Sequence, residues 1–507
     1  MINSSRSKQI AINTLMLYIR MLLIMGVTLY TSRVVLNVLG IEDFGIYNVV
    51  GGIVVMFGFL NSAMSSGTQR FLSYELGKKN YSELQKIFQI ALNIHIGIAF
   101  IIFLLAETVG LWFLLTKMTI PIDRIHAAIW VYQFSIFSFL VTVIQVPYNA
   151  TIIAHERMNV YAYVSVLEVI LKLCVVFALK WANYDKLKLY AFLLFVVSFC
   201  IALIYRIYCR IQFTECRFAL IWDRKRYSTL LSYAGWNLFG NIASVGFNQG
   251  VNVLLNIFFG PIVNAARGIA YQVNAAILSF VSNFQLALNP SIVKSYASGE
   301  VQYMFSLVSQ GSKYSFMLLS MLAIPILLET KYVLNLWLGM VPPYVVSFCQ
   351  LIIINALIDS FSGALMIAAQ ATGKIKKYQS IVGSVLLLNV PVSYVCLKIG
   401  LSPESTIYTS IFLSIVAFGT RLFILHGLLD FKIMPYLFNV VLLSIVTMFI
   451  AILFPLGVIL YIPTSLSRFI LVLFLSLLSS CLSIYVIGMK SKERIFIKSH
   501  IASIFHK

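Results

Sequence analysis

Long apolar segments recur along almost the whole chain and are separated by short polar connections. An α-helix needs about 20 apolar residues to cross the hydrocarbon core of a bilayer. The pattern therefore predicts about fourteen transmembrane helices. We expect them at residues 11–38, 44–66, 86–115, 123–149, 159–180, 188–208, 229–259, 262–289, 307–330, 344–370, 379–398, 404–427, 435–460 and 466–488. The fold class that this predicts is an all-α polytopic membrane protein.

The composition agrees with a membrane protein and excludes a soluble globular one. Apolar residues make up 60% of the chain and charged residues only 11%, and the mean hydropathy is +0.93. The net charge of +20 could suggest a nucleic-acid partner. Nucleic-acid binding, however, needs a basic solvated domain, whereas these basic residues lie between apolar runs. No nucleic-acid partner is expected.

The distribution of lysine and arginine predicts the orientation of the helices. If the N-terminus lies inside, the inner connections carry about three times as many basic residues as the outer ones. Arg421 is counted with the inner connections. Cytoplasmic connections of membrane proteins have this excess. We therefore expect both termini to be cytoplasmic.

Two short internal matches predict a repeat. Residues 73–81 and 295–303 share the pattern Ser-Tyr-x-x-Gly-x-x-x-Tyr, and Val-Leu-Asn-Val at 35–38 resembles Leu-Leu-Asn-Ile at 254–257. We expect pseudo-symmetric six-helix bundles: an N-lobe at 1–210 and a C-lobe at 229–430. Because six is even, the lobes would be parallel repeats. Residues 211–228 would form an inter-lobe loop at the membrane surface, and 431–507 would hold two extra helices and a basic tail.

Polar residues form stripes along two of the predicted helices. In the seventh, four asparagines lie within about 60° on a helical projection: Asn237, Asn241, Asn248 and Asn252. In the eighth, seven polar residues lie within about 80°: Asn264, Arg267, Tyr271, Asn274, Ser282, Gln285 and Asn289. Lipid offers these groups no hydrogen-bond partner. They either bond between helices or line a water-filled cavity, and two whole stripes favour the cavity.

Arginines at membrane depth are the candidate anion ligands. We expect Arg33 and Arg267 to lie at corresponding places in the two halves, and Tyr30 and Asn37 share the helical face of Arg33. A guanidinium bonds phosphate oxygens in pairs and stays charged. The alternative is a structural ion pair with an acid such as Glu42, Asp43 or Glu107. Arg20 projects about 140° away from Arg33 and is given no role.

Three acidic residues lie within apolar runs: Glu107, Glu168 and Asp359. Each is a candidate ligand for a coupling ion. Glu168 and Lys172 are four residues apart on one helix face, which predicts that they neutralise each other. The seven cysteines contain no CxxC pair, and the histidines are scattered. No metal site, cofactor or catalytic group is therefore expected.

Residues 30–78 resemble a known family. They read YTSRVVLNVLGIEDFGIYNVVGGIVVMFGFLNSAMSSGTQRFLSYELGK, which is similar to the opening of Wzx-type flippases, the bacterial exporters of polysaccharide units. The likeness is close over 10–90 and continues through 236–273. These flippases belong to one superfamily with MATE drug exporters and lipid II flippases. The resemblance therefore implies a V-shaped, MATE-like architecture and no enzyme activity.

The resemblance also implies a function. Similar proteins move an undecaprenyl-pyrophosphate-linked oligosaccharide unit from the cytoplasmic to the periplasmic leaflet of the inner membrane by alternating access, for O-antigen, capsule or exopolysaccharide. The asparagines and Tyr271 would then bond sugar hydroxyls, and Arg33 and Arg267 would attract the pyrophosphate. Residues 435–488 would hold the lipid tail. A polymerase and a chain-length protein of the same pathway are the implied partners.

Two other functions stay open. A MATE-type cation-coupled multidrug exporter would need an acidic, aromatic lining, whereas the embedded cations outnumber the embedded acids here, which favours an anionic substrate. A membrane glycan polymerase, ligase or glycosyltransferase would present catalytic acids or histidines on a large outer loop. All outer connections of this chain are short.

Overall fold

The computed structural model of the protein describes residues 2–55, 58–117, 121–181, 183–338, 341–489 and 493–494. Within these ranges the chain is helical and forms no strand. The side chains of some helical residues, Arg33 and Asn37 among them, lie outside those that the structure describes. The all-α fold class is thus confirmed.

The first part of the chain forms eight α-helices. They are α1 (Ile2–Val55), α2 (Gly58–Lys78), α3 (Tyr81–Leu105), α4 (Leu111–Lys117), α5 (Ile125–Ala154), α6 (Met158–Trp181), α7 (Lys186–Gln212) and α8 (Arg224–Val245). A π-helical turn, Ala106–Gly110, joins α3 to α4, and a 3₁₀ turn, Ile122–Arg124, precedes α5.

Twelve further α-helices follow. They are α9 (Val251–Phe259), α10 (Pro261–Ala297), α11 (Val301–Leu328), α12 (Thr330–Leu338), α13 (Val345–Ser360), α14 (Ser362–Ala371), α15 (Ile375–Leu387), α16 (Asn389–Lys398), α17 (Ser405–Leu429), α18 (Ile433–Tyr436), α19 (Leu443–Tyr461) and α20 (Leu466–Ser483). Three more π-helical segments, Gly246–Gly250, Leu437–Leu442 and Ile484–Gly488, continue neighbouring helices.

Twelve helical stretches in the described part of the chain are long and apolar enough to cross a membrane. They coincide with twelve of the fourteen predicted helices. The other two predictions, 44–66 and 229–259, also fall on helix wherever the structure describes them. The first includes residues 56–57, which are not described. The second is divided by the π-helical segment Gly246–Gly250 and carries the asparagine stripe, which lowers its hydropathy.

The chain folds into two compact units. The N-unit is Ala11–Leu238, and the C-unit is Phe239–Lys507 together with Met1–Ile10. In the N-unit, α5 packs against α2, α3, α6 and α7. In the C-unit, α10 packs against α11, α13 and α14, and α17 packs against α13, α14, α15 and α16. The boundary between the units falls within α8, after the predicted loop at 211–228.

The last two long helices belong to the C-unit. Both α19 and α20 pack against α11. A buried ion pair joins the end of α11 to the start of α20, with Glu329 and Arg468 2.7 Å apart. Nearer the other end of α11, Lys313 lies 2.9 Å from Glu493. Because a buried charge without a partner is costly, these two pairs fix α20 and the segment after it to α11.

Two pairs of turns recur at the same sequence separation. Gly40 (φ 81°) interrupts α1, and Gly260 (φ 77°) separates α9 from α10. Lys79 (φ 57°) and Gly299 (φ 80°) occupy matching turns after α2 and α10. Positive φ is the conformation that favours glycine. The repeated turns support the internal repeat, and their separation differs by one or two residues from that of the two sequence matches. In this register Arg33 corresponds to Val253 and not to Arg267, so the prediction that the two arginines lie at corresponding places is wrong.

Candidate functional site

A polar cavity of about 370 Å³ lies inside the C-unit. Its wall is built from the end of α8, the π-helical segment after it, the start of α9, and parts of α10, α13, α14, α15 and α17. Four of the predicted substrate ligands line it, namely Asn248, Arg267, Tyr271 and Asn274, as does the predicted ion ligand Asp359. The structure therefore brings together residues from both of the polar stripes.

Three of these residues form one hydrogen-bonded chain. Arg267 donates from Nη2 to the Tyr271 hydroxyl at 3.2 Å, and that hydroxyl donates to Oδ1 of Asn248 at 2.9 Å. The guanidinium also lies over the Tyr271 ring, 4.5 Å from its centroid. Because Tyr271 bonds both neighbours, it orients the arginine and the asparagine relative to each other.

Arg267 has spare hydrogen-bonding capacity. Its side chain is only 6% exposed, and its buried Nε has no partner. Among the side chains that the structure describes, no carboxylate forms an ion pair with it. The amide oxygen of the buried Asn274 is also unpartnered. Buried polar atoms are nearly always bonded, so these atoms favour a ligand or water in the cavity.

The π-helical segment Gly246–Gly250 places Asn248 in the wall. A π turn disturbs the backbone ladder and recurs at functional sites. The buried Asn389 at the start of α16 stabilises it, because its Nδ2 donates to the Phe247 carbonyl at 3.2 Å and to Ser410 at 3.1 Å. This local geometry depends on a side chain that is far away in the sequence.

A second helix is interrupted beside the cavity. α13 ends at Ser360 and α14 begins at Ser362, with Phe361 between them. The Phe361 carbonyl accepts from Ser312 at 2.9 Å and from Tyr436 at 3.4 Å. Interrupted helices at membrane depth are tolerated where other groups satisfy the freed backbone, and transporters use them to build binding sites.

Asp359 and Arg421 also line the cavity. Asp359 accepts from Asn355 at 3.2 Å and from Ser414 at 3.4 Å. Arg421 donates to the Tyr378 hydroxyl at 3.1 Å and to Ser362 at 2.9 Å. The charged residues of the lining are thus two arginines and one aspartate. Within the described residues the cavity carries a net positive charge, which attracts anions.

A smaller cavity of about 250 Å³ lies in the N-unit. Its lining includes Arg20, Glu168 and Lys172. Lys172 and Glu168 form the predicted ion pair, 2.6 Å apart, and remain about 44% and 34% exposed. Arg20 lies over the Tyr161 ring, 4.5 Å from its centroid. Charges within an apolar helix avoid lipid, so this face of α6 must contact water or protein.

The other predicted site residues either do not line the larger cavity or have side chains that the structure does not describe. Asn241 and Asn252 are half-buried and do not belong to the lining of the larger cavity. The side chains of Arg33 and Asn37 lie outside those that the structure describes. Glu107, on the π-helical turn Ala106–Gly110 of the N-unit, accepts a hydrogen bond from Gln133 at 3.1 Å.

Asp43, one of the acids considered as an ion-pair partner for Arg33, accepts a hydrogen bond from Arg124, whose Nε lies 2.8 Å from Oδ1. Glu42 has no described side chain. No group of three or more His, Cys, Asp or Glu residues within the described ranges could hold a metal ion.

Several lining residues were not identified from the sequence, among them Asn355, Ser410, Ser414 and Arg421. Asn355 with Asp359, and Ser410 with Ser414, are spaced four apart within apolar helices. That spacing is the signal that could have revealed them. Arg421 lies within the predicted helix 404–427 but is counted there with an inner connection, whereas in the structure it is part of α17 (Ser405–Leu429) and lines the cavity.

Comparison with solved structures gives the class of fold. An outward-facing multidrug resistance MATE family transporter of the MOP superfamily superposes with a TM-score of 0.72 at 13% identity, covering 82% of this chain and 94% of that one. A MATE in the straight conformation gives 0.71 at 14%, covering 83% and 97%. A MOP superfamily transporter from Pyrococcus furiosus, described by a binding pocket of reverse polarity, gives 0.69 at 14%, covering 83% and 96%. The protein is therefore a polytopic helical membrane protein with the MATE fold.

The sequence profile of the polysaccharide biosynthesis protein family matches residues 7–296. The chain belongs to this family, which confirms the resemblance recognised in residues 30–78. A comparison with curated protein sequences finds no significant match.

Proposed function

We propose that the protein is a flippase for an undecaprenyl-pyrophosphate-linked oligosaccharide, which it moves from the cytoplasmic to the periplasmic leaflet by alternating access. The unit would serve O-antigen, capsule or exopolysaccharide synthesis. The observation that carries the proposal is Arg267, a buried arginine in a polar cavity with an unpartnered Nε and no ion-paired carboxylate among the described residues. The family and the MATE fold support the same function.

In this proposal Arg267 binds the pyrophosphate. A guanidinium forms short, charge-assisted bonds to phosphate oxygens, and a buried site screens them less than water does. Tyr271 holds the arginine in place. Asn248 and Asn274 offer amide groups to sugar hydroxyls, and the undecaprenyl tail stays in lipid. Arg33, whose side chain is not described, remains a candidate on sequence grounds alone.

Asp359 is the best placed of the three acids to bind a coupling ion. It lines the same cavity as Arg267, and Asn355 and Ser414 supply further oxygen-bearing groups beside it. Glu168 is already neutralised by Lys172, and Glu107 is bonded by Gln133. A coupling ion at Asp359 would change the charge next to the substrate, which links the two binding events.

Deleting the gene in its native host tests the proposal. We expect surface polymer to disappear and complete lipid-linked units to accumulate on the inner face of the membrane. Plasmid-borne wild-type protein should restore export. As a matched pair of variants, Arg267→Met removes the charge from the cavity, and Lys331→Met removes an exposed charge from α12. Only Arg267→Met should fail to complement.

Other outcomes distinguish the alternatives. Undecorated lipid carrier, instead of complete units, would indicate an enzyme of glycan assembly. Normal surface polymer together with increased sensitivity to organic cations would indicate a multidrug exporter. Either result would overturn the flippase proposal.

A further inference from the structure

The loop between α7 and α8, residues 213–223, presents apolar side chains on the surface of the N-unit, and together with the helix ends beside it also presents positive charge. It begins directly after a helix long enough to cross the membrane, Lys186–Gln212. From its geometry we infer that this loop is a binding surface for anionic phospholipid headgroups. The inference is independent of the substrate proposed above.

The apolar part of this surface is unusually exposed. Ile211, at the end of α7, is 81% exposed, and in the loop Leu220 is 84% and Trp222 85% exposed. Phe218 is 53% exposed. Most residues of 213–223 have no regular secondary structure, so their backbone cannot enter the hydrocarbon core, where unbonded N–H and C=O groups are costly. Exposed aromatic and aliphatic side chains on such a backbone fit the headgroup region.

The loop has a fixed conformation rather than a loose one. The Phe213 ring stacks on the His155 ring, 4.2 Å between centroids, and His155 bonds Glu215 at 2.6 Å. Asn93 of α3 donates to the Ala219 carbonyl at 3.2 Å. These contacts hold the inward-facing residues on α3 and α5. The apolar residues that face outward are therefore presented for contact instead of being exposed by disorder.

In the loop and the helix ends beside it, the acidic side chains are bonded within the protein and most of the basic ones are exposed. Glu215 is only 6% exposed and is bonded to His155. Asp223 is engaged by Arg226 at the start of α8, which also bonds Glu83 of α3 at 2.7 Å. Both acids are therefore engaged by side chains of the protein itself.

The basic residues, by contrast, point outward. Five of them are exposed and form no ion pair within the described part of the chain: Arg206, Arg210, Arg217, Arg224 and Lys225. Arg224 and Lys225 stand in the first turn of α8, which has no acidic residue. The N-terminus of α8 is capped by Asp223, which accepts from the Arg226 backbone N–H at 3.0 Å, so the cations beside it remain available to an external anion. Clusters of basic residues beside a transmembrane helix bind anionic lipids.

Bromine-labelled lipids test the inference through Trp222. The full-length protein is placed in nanodiscs of phosphatidylcholine alone or mixed with an equal amount of phosphatidylglycerol. The protein has six tryptophans, so the signal of Trp222 is taken as the difference between wild type and Trp222→Phe. We expect brominated phosphatidylglycerol to quench this signal about two- to fivefold more than brominated phosphatidylcholine.

Charge variants separate this surface from a general effect of basic loops. Arg217→Gln with Arg224→Gln should abolish the preference for phosphatidylglycerol. Arg217→Lys with Arg224→Lys keeps both charges and should keep the preference. The matched control is Lys374→Gln with Lys377→Gln, which should leave the preference unchanged. This exposed basic pair lies at the start of α15, with Lys374 directly before the helix and Lys377 in its first turn. Equal quenching by both lipids, or a loss of preference in the control, would overturn the inference.

Discussion

The buried arginine of the C-unit cavity allows a prediction in which stability and transport respond differently. Arg267→Met replaces the guanidinium with a shorter, unbranched apolar side chain. The change removes one hydrogen bond to Tyr271 and the contact with its ring, which together contribute about 1–3 kcal/mol. It also removes the cost of burying a charge that has no ion-pair partner among the described residues, which is several kcal/mol. We expect the free energy of unfolding to fall by less than about 1 kcal/mol, or to rise.

Transport should respond in the opposite way. Two charge-assisted hydrogen bonds to a pyrophosphate contribute about 1.5–3 kcal/mol each. Their loss lowers substrate affinity by roughly a hundredfold or more. Arg267→Lys keeps the charge but loses the planar fork, so its export should be intermediate. The measurements are surface polymer in the complemented deletion strain and thermal unfolding of the purified variants.

Arg421 is the matched control in the same cavity. It donates to Tyr378 and Ser362, so Arg421→Met leaves two polar groups with lost partners. We expect this variant to lose about 2–4 kcal/mol of stability. If Arg267→Met destabilised the protein as much as Arg421→Met, or exported polymer at the wild-type rate, Arg267 would be a structural residue and our assignment would be wrong.

Three further predictions concern other parts of the chain. Asn389→Ala removes the bond to the Phe247 carbonyl and should lower stability by about 1–3 kcal/mol, measured by thermal unfolding; an unchanged midpoint would contradict the role of Asn389. Asp359→Asn should make transport in proteoliposomes insensitive to imposed proton and sodium gradients, and a retained gradient response would exclude Asp359 as the ion ligand. Burial alone would raise the pKa of the Glu215 carboxyl, but hydrogen bonds from His155 and its own backbone lower it below the ordinary 4.5. The ionised Glu215 carboxylate therefore stabilises the fold fully above pH 4.5, and this stabilisation is lost as the pH falls through the lowered pKa. Thermal unfolding measured against pH should show this loss in wild type and not in Glu215→Gln.

The helices were predictable because lipid imposes a simple rule. Every backbone group must be bonded within the segment, so a run of apolar residues predicts a helix without knowledge of its neighbours. The predicted helices that end at 38 and 259 are followed by Gly40 and Gly260, and in the structure both glycines adopt positive φ. The Glu168–Lys172 pair was predictable because a spacing of four residues places both charges on one helix face.

The details of the cavity were not predictable in the same way. The helical projection of the asparagine stripe assumed 3.6 residues per turn, but the π-helical segment Gly246–Gly250 changes the phase within it. Asn248 therefore lines the cavity while Asn252 does not. The interruption at Phe361 depends on Ser312 and Tyr436, which are distant in sequence. Such tertiary contacts leave no periodic signal in a single chain.

Movement of the lipid-linked unit across a bilayer is the most direct test of the central claim. Purified protein is reconstituted in vesicles that contain an undecaprenyl-pyrophosphate oligosaccharide, and the fraction reachable by an external glycosidase is followed over time. We predict that wild-type protein makes the inner-leaflet fraction accessible, and that Arg267→Met slows this process by roughly a hundredfold or more when substrate is below saturation. Equal accessibility in vesicles with wild-type protein, with Arg267→Met and without protein would contradict the account.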